Sequence, residues 1–308
     1  MKKTYNNQYY DHFSKQFSLT PPVFSKETNY LMRFFTQLPT YRFDNSNLTI
    51  VYFKEGSGVF FKNDKTLRIE GDKFIVVNPG EGWEYVNSKG DFIDVLSLVV
   101  AEDFKEQFDF FIHSSFEEML DNPSGRMSNG EYFIEQSLSA DNYRSGRRLK
   151  AFHELSNSLE YSHTSPEEIC IEVLRTIYKD QFKVYDLSAQ IEAKKTSTRV
   201  ETLKRLLIVN DYIHDNIQQA ISLDELSRVS ALSRFHLYAS FKTVYGQTPH
   251  QYINRLKMAK AKKYVLEAQW SISEIADYFG YNDLSVFGKV FKKTFGYSPT
   301  DYKIRWPV

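Results

Sequence analysis

The chain has 308 residues, 42% apolar and 16% aromatic, with 39 Lys/Arg against 39 Asp/Glu; at roughly 150 residues per domain this suggests two domains with real cores. A lone cysteine, Cys170, excludes a disulfide framework and a cysteine-rich zinc site. No apolar run reaches the roughly 18 residues of a membrane helix, and no apolar stretch follows Lys2 and Lys3 to make a signal peptide, so a cytoplasmic protein without membrane contact is the default expectation.

From Leu48 to Val100 the chain reads as short strands broken by turn residues. Leu48–Lys54 is apolar and β-prone and ends at Gly56-Ser57-Gly58. Val59–Lys62 precedes Asn63-Asp64, Thr66–Ile69 precedes Gly71-Asp72, and Phe74–Val77 precedes Asn78-Pro79-Gly80. Trp83–Val86 and Asp91–Val100 complete the set. Strands at this spacing predict a small antiparallel barrel or sandwich.

Helical patterning begins after about residue 101. Leu149, Phe152, Leu155 and Leu159 recur at helical spacing. A second helix, from Pro166 to about Phe182, places Ile169, Val173 and Ile177 on one stripe, with Pro166 suited to its first turn. Such a stripe either packs in the core or meets a second subunit; these three are the candidate dimerisation residues. The polar stretch 188–199 is the candidate interdomain linker. It separates a first domain, 1–187, from a helical domain, 200–308. Within the first, the barrel is expected at about 40–100 and helices at about 101–187.

Beyond the linker, Leu203, Leu206, Leu207, Asn210, Ile213 and Ile217 mark an amphipathic helix. The sequence then repeats itself. Phe241-Lys242-Thr243-Val244-Tyr245-Gly246-Gln247-Thr248-Pro249 precedes Phe291-Lys292-Lys293-Thr294-Phe295-Gly296-Tyr297-Ser298-Pro299 by 50 residues. Upstream, Ser222-Leu223-Asp224-Glu225 matches Ser271-Ile272-Ser273-Glu274. Both are capping boxes, in which the hydroxyl accepts from the N3 amide and the glutamate reaches back. Each opens a short helix, followed by a turn, an N-cap (Ser233 or Asp283) and a second helix closed by Gly246 or Gly296.

This is helix-turn-helix, twice, a motif that sets its second helix into the DNA major groove. If Leu237/Phe287 and Phe241/Phe291 face inward, positions 234, 235, 238, 239 and 242 face outward, as do 284, 285, 288, 289 and 292. A helix from Thr248-Pro249 to about Glu267 joins the units and carries Arg255, Lys257, Lys260, Lys262 and Lys263, suited to phosphate. The zero net charge also resolves here. Residues 1–199 hold 24 Lys/Arg and 29 Asp/Glu, whereas residues 200–308 hold 15 and 10. The balance of a formally neutral chain therefore hides an acidic part and a basic part.

Residues from about 200 to 305 resemble the AraC/XylS-type DNA-binding domain. The resemblance rests on Leu226-Ser227, Ser233, His236-Leu237, Phe241-Lys242, Tyr252, Arg255-Leu256 and Ala259. It continues through Ile272, Ile275-Ala276, Gly280-Tyr281, Asp283, Phe287, Phe291-Lys292-Lys293, Phe295-Gly296, Ser298-Pro299 and Tyr302. It implies a sequence-specific transcription regulator, more often an activator than a repressor. Double-stranded DNA, RNA polymerase and a second copy of the chain are the implied partners. Carried over, the base-contacting residues are Arg234, Phe235, Tyr238 and Ala239 in the first unit, and Leu284, Ser285, Gly288 and Lys289 in the second. Lys242, Lys260 and Lys292 fall to the DNA backbone. His236 either reaches a phosphate or is a surface histidine without a partner. Where the family often has arginine, this chain has Ala239, which offers guanine nothing and touches only a thymine methyl.

Residues 48–100 look like the cupin-type sensor domain usual at the N-terminus of this family. The overall expectation is a two-domain α+β chain: an N-terminal cupin-like antiparallel β-barrel plus helices, then an all-α double helix-turn-helix. Cupin enzymes hold a metal with histidines, yet residues 14–112 contain none. No enzyme, metal or cofactor is therefore expected. The alternative left to the barrel is a cavity for a small-molecule effector, with Tyr52, Phe60, Phe74, Trp83 and Tyr85 as candidate lining residues. Two readings follow: a ligand-responsive regulator, or a ligand-independent one whose barrel serves dimerisation or protein contact.

Overall fold

The β-prone segments between Leu48 and Val100 all form strands, and further strands lie outside that window. The computed structural model describes residues 5–10, 29–37, 39–43, 47–62, 65–80, 82–87, 90–127, 133–156, 166–188, 196–267 and 269–306. The chain divides into two units, Met1–Phe182 and Lys183–Val308.

In the first unit, β1 (Tyr5–Tyr10), β2 (Asn29–Thr36), β3 (Thr40–Phe43), β4 (Leu48–Glu55) and β5 (Gly58–Lys62) come first. Next come β6 (Lys65–Ile69), β7 (Lys73–Val77), β8 (Trp83–Val86), β9 (Ile93–Val100) and the short β10 (Leu138–Ser139). They form a six-stranded sheet, β1-β2-β9-β4-β7-β10, and a four-stranded sheet, β3-β8-β5-β6. The pairs are antiparallel except for β1 with β2. No pairing among the described strands closes the two sheets into one barrel. The β region also begins earlier than the sequence pattern suggested, because β1 and β2 lie upstream of residue 40.

Strand alternation decides which side chains meet. Val51, Phe53, Ile75, Val77, Ile93 and Val95 of the larger sheet pack with Phe60, Ile69, Trp83 and Tyr85 of the smaller one. Tyr52 and Phe74, one residue out of phase, point to the opposite face. There the Tyr52 ring meets His153 at 5.8 Å and the Phe74 ring meets Tyr143 at 6.0 Å. The five expected effector-lining residues therefore do not share one cavity: three lie between the sheets and two lie outside, under a helix. β9 is buried along its whole length because it is covered on both faces.

Helices α1 (Glu102–His113), α2 (Phe116–Asp121), α3 (Arg144–Leu155) and α4 (Pro166–Ser188) complete this part of the chain. α3 is tied to the larger sheet through Asp94, which accepts from His153 Nε2 at 2.8 Å and from Arg33 Nε and Nη2 at 3.2 Å each. Ile169, Val173 and Ile177 of α4 are fully buried within the unit. Their neighbour Tyr178 contacts the rings of Phe108 and Phe133 at 5.4 and 5.0 Å. This corrects the expected dimerisation stripe: its apolar side is already covered by the chain's own core.

The ends of the stretch 188–199 are helical. Ser188 ends α4 and Thr196–Arg199 open α5 (Thr196–Asp215), while residues 189–195 lie outside the described residues. The division between units falls inside α4, five residues before the expected end of the first domain at 187. Among the described residues no helix is long and apolar enough to cross a membrane.

The second unit continues with α6 (Leu223–Ser230), α7 (Arg234–Tyr245), α8 (Pro249–Glu267), α9 (Ile272–Tyr278), α10 (Leu284–Phe295) and α11 (Pro299–Arg305). The repeat is visible in its packing. Phe241 meets the Tyr245 and Tyr252 rings at 4.3 and 5.4 Å. Fifty residues on, Phe291 meets Phe295 and Tyr302 at 4.7 and 5.7 Å. The second core is completed by Met258, Ala261 and Val265 of α8 with Ile275, Ala276, Phe279 and Phe287. In the first, α5 contributes buried Leu203, Leu206, Leu207 and Ile213, and its Asn210 accepts from the Tyr252 hydroxyl at 2.7 Å.

Candidate nucleic-acid interface

Both helix-turn-helix units are set by local chemistry. Ser222 Oγ accepts from the Glu225 amide at 3.2 Å, and Glu225 Oε2 accepts from the Ser222 amide at 3.4 Å. Ser271 and Glu274 repeat this at 3.2 and 2.7 Å. Each cap is worth about 1 kcal/mol to its helix. These hydrogen bonds to Ser222 and Ser271 lower the carboxyl pKa of Glu225 and Glu274; for Glu225 the larger cause is the hydrogen bond from the Tyr212 hydroxyl. Between the helices, Ala231 in the first unit and Gly280 in the second take left-handed backbone, at φ of 51° and 71°. At Gly280 a Cβ would come within 3.0 Å of the Gln218 carbonyl oxygen, so glycine is required there by space as well as by φ. The turn at Ala231 is held from outside, because its carbonyl accepts from Arg205 Nη1 of α5 at 2.8 Å.

The second helix of each unit starts at an N-cap and ends at a left-handed glycine. Ser233 Oγ accepts from the His236 amide at 3.3 Å, and Asp283 Oδ1 from the Ser285 amide at 2.7 Å. Gly246 and Gly296 follow with φ of 68° and 83°. With Leu237, Phe241 and Val244 buried on α7, and Phe287 and Phe291 on α10, the opposite faces are open. Arg234, Phe235, His236, Tyr238, Ala239 and Lys242 are exposed on α7. Leu284, Ser285, Lys289 and Lys292 are exposed on α10, with Gly288 half-buried beside them, and Lys260 is exposed on α8.

Three details differ from the sequence reading. Arg234 is engaged: its Nε lies 2.5 Å from Asp224 Oδ1 on α6. Lys257, grouped above with the phosphate-facing lysines, is buried. Its Nζ donates to the carbonyl oxygens of Gln219 at 2.9 Å and Phe279 at 2.5 Å, and burial lowers its pKa. Val286, not among the expected residues, is exposed on the first turn of α10. It stands 50 residues after His236, so the internal repeat already marks its position.

Two exposed second helices, each N-capped and each packed on a shared connecting helix, define a double helix-turn-helix domain of the DNA-binding class. Residues 226–305 match the family described as "Helix-turn-helix domain". Over 105 residues the chain is 40% identical to the probable transcriptional regulator LumQ of Photobacterium leiognathi, covering 34% of this chain and 42% of that protein. Over 113 residues it is 31% identical to the xylose operon regulatory protein of Escherichia coli strain K12, covering 37% and 29%. The chain thus spans less than half the length of these curated relatives.

Among solved structures, the C-terminal domain of AraT, a response regulator from Geobacillus stearothermophilus, aligns with 32% of this chain and 84% of that one, at 26% identity and a TM-score of 0.32. ToxT from Vibrio cholerae aligns with 90% and 98%, at 13% identity and a TM-score of 0.34. The C-terminal part of this chain is an AraC-type DNA-binding domain, of the kind carried by AraC/XylS-family regulators.

Proposed function

We propose that the chain is a sequence-specific, ligand-responsive transcription activator that reads two successive major grooves of double-stranded DNA. The observation that carries this reading is α8. Its 19 residues span about 28 Å at 1.5 Å per residue, close to the roughly 34 Å that separates successive major grooves on one face. A helix packed against both reading units holds them at a fixed separation. Arg234, Phe235, Tyr238 and Ala239 face one groove and Leu284, Ser285, Gly288 and Lys289 the next. Lys242, Lys260 and Lys292 contact phosphates, whose counterions are released on binding. In this reading the first unit senses a small molecule, and the active form is a homodimer that engages RNA polymerase.

Hydroxyl-radical footprinting of the full chain on a bound duplex tests it. Two protected patches about one helical turn apart are expected, with affinity falling steeply as salt rises. A flat salt response, or equal affinity for every duplex, overturns it.

A second reading, regulation without a ligand, draws on the packing of the first unit. Phe60 meets Trp83 at 6.2 Å and Tyr85 at 5.1 Å, and Phe53 meets Tyr85 at 5.8 Å, so these rings are used up on one another. Thermal-shift measurement against a metabolite panel separates the two, since a ligand of the folded state raises Tm.

A further inference from the structure

Polar groups able to read guanine or adenine are few on both reading helices. Arg234 is drawn aside to Asp224. Lys289 is the one long polar side chain on the leading face of α10. What projects instead is apolar. Phe235 is 84% exposed, Tyr238 44% and Leu284 48%, and Ala239 is open beside them. A phenyl ring left in water contributes little to the fold, because its apolar area is not removed from solvent. On each helix the exposed apolar groups stand with exposed lysines, Lys242 on α7 and Lys289, Lys292 and Lys293 on α10, the composition of a contact surface.

Gly288 adds an independent observation. It lies in the interior of α10, four residues after Leu284 and on the same face. Glycine weakens a helix there relative to alanine. A Cβ built at Gly288 meets no heavy atom within 4 Å, so the unit's own packing does not ask for glycine. What glycine provides is a notch that lets another molecule approach the helix backbone.

We infer that both reading helices recognise thymine, through contact of its 5-methyl group with Phe235, Tyr238 and Ala239 on α7 and with Leu284 on α10, the notch at Gly288 letting α10 sit deep in the groove. The inference rests on the proposed reading of this domain as a DNA reader and names the bases it selects. Thymine displays a methyl group in the major groove, where guanine and cytosine offer polar edges. An apolar side chain set against those edges would strip them of water without replacing the hydrogen bonds. A·T pairs are therefore favoured under both heads, and Lys289 adds one polar contact in the second.

The test uses the full chain to select duplexes from a random-sequence pool at fixed salt. Two A·T-rich boxes about one helical turn apart are expected. Each thymine is then replaced by deoxyuridine, which keeps the hydrogen-bonding edge and lacks the methyl group. Affinity should fall about threefold to fivefold for each contacted thymine, the worth of one buried methyl group. Phe235→Ala should remove that penalty at one thymine of the first box, leaving those under Tyr238 and Ala239, and Leu284→Ala should remove it in the other box. Boxes rich in G·C, or uracil duplexes bound as tightly as thymine duplexes, overturn the inference while leaving DNA recognition intact. A penalty left unchanged at every thymine of both boxes by both variants also overturns it, by assigning the effect to DNA shape. A pool that yields no enriched sequence overturns the DNA-reading function itself and the inference with it.

Discussion

Lys257 Nζ donates to the Phe279 carbonyl oxygen at 2.5 Å, joining the middle of α8 to the turn of the second helix-turn-helix unit. The same ammonium donates to Gln219 at 2.9 Å and lies 5.5 Å from the centre of the Tyr281 ring. One buried cation therefore gathers the loop before α6, the connecting helix and the turn after α9. Its partners are carbonyls near helix ends, where a positive charge is favoured.

Lys257→Met keeps the apolar stem and removes the donor, leaving two carbonyls without it. The domain should lose about 2–3 kcal/mol, measured by urea unfolding followed by circular dichroism. DNA affinity should then fall in proportion to the loss of folded domain. A stable variant with weakened DNA binding would return Lys257 to the phosphate-facing group.

Gly288→Ala should separate stability from binding. The added methyl meets open space and improves the helix by about 1 kcal/mol, so Tm rises. DNA affinity should drop severalfold because the methyl fills the notch. Raised Tm with unchanged affinity would show that α10 does not approach DNA closely at this position.

Lys260 and Lys289 should behave differently although both are exposed. Lys260→Ala is expected to weaken specific and random duplexes alike and to reduce the salt slope by about one. Lys289→Ala should weaken the selected duplex more than the random one. Equal losses for the two duplexes in Lys289→Ala would remove it from base readout.

Asp94 ties β9 to Arg33 and His153 in the first unit. Burial alone would raise its carboxyl pKa, but the hydrogen bonds and charges of His153 and Arg33 outweigh burial and hold it below the usual carboxylate range. A carboxyl lowered in the folded state contributes stability above its unfolded value and loses it as pH falls through the folded one. Asp94→Asn should therefore cost about 2 kcal/mol near neutral pH, less than for a fully buried pair. The difference from wild type should shrink between about pH 5 and about pH 3. A constant difference across that range would assign the loss to packing.

The strands of residues 48–100 were legible because their turns carry Gly, Asn, Asp and Pro, and these residues act locally. β1 and β2 were not, since a strand such as β2 is defined by the partner it finds in β9, 57 to 69 residues away. Period-two alternation placed Tyr52 and Phe74 in the opposite phase to Phe53 and Ile75. Whether either phase faced a cavity depended on what covered the sheet, and α3 covers one face. The stripe of Ile169, Val173 and Ile177 was read correctly as apolar, but periodicity cannot say whether the surface that meets it belongs to the same chain.

The double helix-turn-helix is what the sequence by itself determined about this protein. Capping boxes, N-caps, left-handed glycines and aromatic pairs act within a few residues, and their repetition at 50 residues announced two similar units. The division of a neutral chain into acidic and basic parts was equally readable. Only the tertiary structure decided how particular charges are spent. Lys257 is buried on two carbonyls and Arg234 is held by Asp224, while Phe235 and Leu284 stand open. A lysine in a helix reads the same whether it meets water, a phosphate or a carbonyl, because that choice is made by segments distant in sequence.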